Sequence, residues 1–157
     1  VEKFIDLLSR LLQQDLHELE ILSRLLEQEK QALRNRDANE IQSLGQSKQE
    51  LVLSLERRSR QKAQLLAKSP LRIRPGQVRE KLVTLNNENL LQLWDRTQSA
   101  MSHCKERNLL NGKIISLSLQ RTHRLMDLLR GQHSQPAIYG SQGKTHSSGG
   151  RSSLGKA

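Results

Sequence analysis

The chain has 157 residues, enough for one domain, and carries a formal net charge of +10. Thirty residues are Leu but only Phe4, Trp94 and Tyr139 are aromatic, which argues against a thick aromatic-filled core and for long helices joined by thin seams. The lone Cys104 excludes an intramolecular disulfide and fits a reducing cytoplasm; no apolar run approaches the roughly 18 residues of a membrane span.

The first segment, about residues 2–34, repeats Ile5, Leu12, Leu19, Leu26 and Leu33 every seven residues, with Leu8 and Leu22 three positions on. That is a coiled-coil seam. A break follows at residues 35–37. Asp37 with Glu40 three residues later reads as an acidic capping box. The second segment, 38–68, has a weaker stripe of Ile41, Leu44, Leu51, Leu55 and Leu65, interrupted by Ser47, Lys48, Arg58 and Lys62. Pro70, Pro75 and Gly76 then mark a connection.

Helical spacing resumes near Gln77 and continues to about Arg130, so a single long third helix is expected over 77–130. Val78, Leu82, Leu85, Leu93 and Cys104 mark its first face, and Asn111-Gly112 inside it is a candidate kink. From Gln132 the composition turns to Gly and Ser, and a flexible tail is expected over 132–157. The expected fold is therefore all-α: an elongated antiparallel three-helix, coiled-coil-like bundle over 1–131, with a long third helix and a disordered C-terminal tail.

Helix lengths carry the functional argument. At 1.5 Å per residue the first two segments span roughly 50 and 45 Å, and the third roughly 80 Å. About 20 residues of the third cannot be covered by its neighbours. They carry two apolar stripes: Leu110, Ile114, Leu117, Leu125 and Leu128, and beside them Ile115, Leu119, Met126 and Leu129. Those stripes must fold back, dimerise or wait for a partner.

Chemistry is sparse. No nucleophile stands with a positioned base, and no Gly-rich loop follows a strand. His17, His103, His123, His133 and His146 lack metal-ligand spacing. No enzymatic activity, cofactor, metal or small-molecule substrate is expected. Arg57, Arg58, Arg60 and Lys62, and again Arg72, Arg74 and Arg79, form basic clusters without aromatics beside them. They read as solvated faces, so nucleic-acid binding is not expected.

The chain resembles the FlgN family of flagellar export chaperones in three stretches. The first is the helix–break–helix pattern of Glu29, Lys30 and Leu33, then Asp37, Ile41, Leu44, Lys48, Leu51 and Leu55. The second is Asn108 with Asn111-Gly112-Lys113-Ile114. The third is Tyr139-Gly140 with Gly143 and the ending Ser152-Ser153-Leu154-Gly155. The resemblance implies a cytoplasmic type III export chaperone whose C-terminal region binds a helical C-terminal segment of the hook–filament junction proteins FlgK and FlgL. It places that site on Leu110, Ile114, Ile115, Leu117, Leu119, Leu125, Met126, Leu128 and Leu129. It also implies docking to the export gate through Tyr139 and Gly140, with the export ATPase complex as a further partner. The alternatives left open by the residues are a coiled coil that self-associates as a homodimer and a basic helical nucleic-acid binder.

Overall fold

The computed structural model describes residues 1–74 and 76–129. The expected tail, residues 132–157, lies outside them. Four helices follow in order: α1 (Glu2–Asn35), α2 (Ala38–Lys68), α3 (Val78–Val83) and α4 (Glu88–Leu129). No strand occurs among the described residues. The chain divides into two compact units, Val1–Gln120 and Arg121–Ala157. The helices pack within the first. The second contributes the last turns of α4, whose described residues are all exposed.

The α1–α2 hairpin is built from local chemistry. Arg36 adopts the left-handed conformation (φ 56°). The Asp37 N–H donates to Ala32 O at 3.0 Å and the Arg36 N–H to Leu33 O at 3.4 Å, a Schellman ending. Asp37 then opens α2, its Oδ1 accepting from the Glu40 N–H at 3.0 Å. One residue thus closes α1 through its backbone N–H and starts α2 through its side chain, which forces the two helices into close antiparallel contact.

The third expected helix is two helices. Residues 84–87 interrupt it. Thr84 Oγ1 donates to Lys81 O, Asn86 takes a left-handed φ of 50°, and Asn87 Oδ1 accepts from the Leu90 N–H at 2.9 Å. A consecutive Asn pair can do both jobs, since Asn tolerates the left-handed region and caps helices well. The interruption lets Leu82 and Leu90 both reach the same core. At Gly112 the helix continues.

Two apolar cores form along α1. One gathers Phe4, Leu8, Leu12, Leu66, Ile73, Leu82 and Leu90, with Trp94 packed at its edge. The other gathers Leu19, Leu22, Leu26, Leu55 and Cys104. Buried residues of α1 recur at alternating four- and three-residue steps from Leu8 to Glu29, as a heptad seam requires. The buried positions of α4 are Leu90, Thr97, Cys104 and Asn111, one per heptad. Cys104 Sγ contacts Leu19 O, and Asn111 Nδ2 donates to Leu26 O seven residues on in both helices. α4 therefore runs parallel to α1 in a fixed register.

Candidate partner-binding face

Between and beyond the apolar cores lie polar layers. Asp15 is fully buried on α1. Arg58 Nε donates to its Oδ1 at 2.6 Å, and Lys62 Nζ is bonded to its Oδ2. The same guanidinium reaches Glu18, and Ser54 Oγ also donates to Glu18. These hydrogen bonds from Arg58 hold the Glu18 carboxyl below its ordinary range; partial burial opposes them, and the charge of Arg58 and the Ser54 hydroxyl add to the lowering. A second layer centres on Glu29, which takes Lys48 Nζ at 2.7 Å and Asn111 Nδ2 at 2.8 Å.

These layers correct the expectation for α2. Arg58 and Lys62 do not lie on a solvated basic face; both are buried against Asp15. Among the described residues no buried side-chain nitrogen or oxygen lacks a partner. The buried network is therefore complete within the bundle. The Cys104 thiol is buried, which pushes its pKa up despite nearby Arg107, so it is a poor nucleophile. No group of three His, Cys, Asp or Glu residues that could hold a metal ion occurs among the described residues.

Asn111 is also where α4 loses its cover. It is 2% exposed, whereas Leu110 before it is 58% exposed and Leu117 after it 55%. Within the first unit, Leu110, Ile114 and Leu117 occupy one row of the helix at spacings of four and three, and all are exposed. Leu119 is exposed beside them, and Ile115, which continues the Asn111 side, is half-buried. Leu109 is exposed too and extends the apolar surface beyond the stripes read from the sequence. Within the second unit, Leu125, Met126, Leu128 and Leu129 are exposed on the same helix. Single exposed leucines are ordinary, but a helical row of them is not. Tyr139 and Gly140 lie outside the described residues. No helix among those described is long and apolar enough to cross a membrane.

Among the described residues, then, the chain is an all-helical bundle whose buried side-chain polar groups all have partners and whose last helix leaves an apolar row uncovered. Comparison with protein families gives the family: the family model for the FlgN protein matches residues 4–147, and the chain belongs to the FlgN family, chaperones of flagellar assembly and export. Searches of curated proteins and of solved structures each found no match.

Proposed function

We propose that this protein is a cytoplasmic export chaperone that binds the C-terminal helical region of the hook-associated proteins FlgK and FlgL and delivers them to the flagellar type III export apparatus. The observation that carries this reading is the exposed apolar row on α4, which begins where the seam with α1 ends. A client helix laid on Leu110, Ile114, Leu117 and Leu119 of the first unit would hide its own apolar face until export, and Leu125, Met126, Leu128 and Leu129 of the second unit are proposed as further client contacts. Ile115 would form the edge next to the bundle. Each leucine so covered contributes about 1.5–3 kcal/mol of burial. Tyr139 and Gly140 are the proposed docking elements for the export gate or its ATPase complex.

Calorimetric titration with the C-terminal helix of a FlgK-like protein tests this. Leu117→Asp and Leu125→Asp should each weaken binding more than about tenfold, since each removes apolar burial and sets a carboxylate in the interface. Circular dichroism should stay unchanged, because both side chains point into solvent. Unchanged affinity in both variants would remove the site from α4. A wild-type chain that dimerises through these leucines and ignores the helix would replace the chaperone reading with self-association.

A further inference from the structure

The positive charge is concentrated in one stretch. Between residues 57 and 83 nine residues are basic and only Glu80 is acidic, a balance of +8 within a chain of +10. Three of these cations are engaged: Arg58 and Lys62 with Asp15, and Arg79 with Asp95 through two of its nitrogens. Lys81 is half-buried. Arg57, Arg60, Lys68, Arg72 and Arg74 remain, all exposed and without an ion pair among the described residues.

These five are organised. Arg57, Arg60 and Lys68 share one face of α2 with Gln61 and Gln64, opposite the side that carries buried Leu55, Lys62 and Leu66. Arg72 and Arg74 stand on the connection that follows Lys68, on either side of Ile73, which is 3% exposed. The backbone there is pinned: the Ile73 N–H donates to Leu66 O at 3.2 Å, Ser69 Oγ to Leu66 O at 2.7 Å, and the Arg72 N–H to Ser69 O at 2.9 Å. Cations presented from a fixed backbone lose less conformational freedom when they bind.

We propose that this face docks an acidic polypeptide segment, at a site separate from the apolar row of α4. Four of the five cations are arginines, whose forked donors clamp carboxylates through two hydrogen bonds. The spacing along α2 suits carboxylates repeated every three or four residues, as one side of a helix presents them. No aromatic residue lies between 57 and 83 to stack on bases. The apolar side of α2 is buried against α1, and the single exposed leucine of α2, Leu53, is too little apolar surface to enter a bilayer. Leu66 and Ile73 pack with Phe4 and Leu8, whereas the free row of α4 begins beside Glu29. About 30 Å of α1 separates Leu8 from Glu29, so the two surfaces can be occupied together.

Fluorescence anisotropy of the full chain with a labelled helical peptide carrying Glu at every third or fourth position tests this. A variant combining Arg57→Gln, Arg60→Gln, Arg72→Gln and Arg74→Gln is compared with an equal-charge control combining Arg24→Gln, Arg34→Gln, Arg96→Gln and Lys105→Gln, all exposed. The first should weaken peptide binding about tenfold, and the control less than about twofold. Equal weakening in both would mean that net charge alone attracts the peptide, and would overturn the proposal. So would tighter binding to a single-stranded oligonucleotide or to phosphatidylglycerol vesicles that disappears in the first variant. If the fourfold variant loses helicity, the pair Arg57→Gln and Arg60→Gln against Arg24→Gln and Arg34→Gln carries the same comparison. Client-helix titration should be unchanged in the first variant, so this surface and the chaperone reading can fail independently.

Discussion

Asp15 shows how a single residue organises the seam. The heptad of leucines in α1 is plain in the sequence, and so is its burial. Less plain is that Asp15 and Glu29 occupy seam positions between Leu8 and Leu22 and beyond. Their charge argues for the surface unless cations are known to reach them, and those cations sit on another helix. Arg58 and Lys62 were illegible for the same reason: without the fold, they only interrupt a stripe. Removing the acid should therefore be costly. Asp15→Ala leaves buried Lys62 without its carboxylate and Arg58 with only Glu18 and Ser54, and should lower unfolding free energy by about 3 kcal/mol or more, measured by urea denaturation. The Glu18 carboxyl, lowered by Arg58, gives a pH signature. Its folded pKa lies below the ordinary 4.5, so its contribution is present above that value and is lost as pH falls through the folded pKa. Urea midpoints should drop as pH falls below that ordinary value, and Glu18→Gln should flatten that slope.

At the scale of elements, the α1–α2 hairpin was fully legible, because Asp37 and Glu40 act within four residues of each other. The division of the third segment was not. Apolar spacing from Val78 to Leu93 suits one helix, and only the short-range chemistry of Thr84, Asn86 and Asn87 breaks it. An Asn pair amid helical periodicity is the signal that could have exposed the break. Asn87→Ala should cost about 1 kcal/mol through loss of the α4 cap, seen as a shifted denaturation midpoint with native helix content retained. Three of the polar interruptions of α2, which weaken its stripe on paper, strengthen its attachment: Lys48, Arg58 and Lys62 each reach across to α1, and Ser54 joins them.

The whole molecule follows from unequal helix lengths. Length arithmetic anticipated that part of the last helix would be uncovered, and the described residues after Asn111 are exposed apart from the half-buried Ile115. What arithmetic could not supply was the point of departure, which Asn111 sets through its bonds to Leu26 and Glu29. Native-state hydrogen exchange should show it: amides of α4 from Leu90 to Asn111 should be protected well beyond those that follow, where the helix has little to pack against. Uniform protection along α4 would contradict that boundary.

The layers along this seam have a consequence for how such a chain can change over generations. Both helices alternate in step: Leu8, Asp15, Leu22 and Glu29 are buried seven residues apart on α1, Leu90, Thr97, Cys104 and Asn111 seven apart on α4, and the amide of Asn111 meets the Glu29 carboxylate. A slide of α4 by one heptad would carry Asn111 from Leu26 and Glu29 to Leu19 and Leu22, where no carboxylate awaits its amide. A lone replacement of Asp15 or Glu29 meets the same resistance, because its partners on α2 and α4 would be left behind. Inheritance at these sites is therefore collective: descendants that lose the acid of a layer must lose its cations or its amide with it, while the leucine levels between them are free to drift among aliphatic side chains.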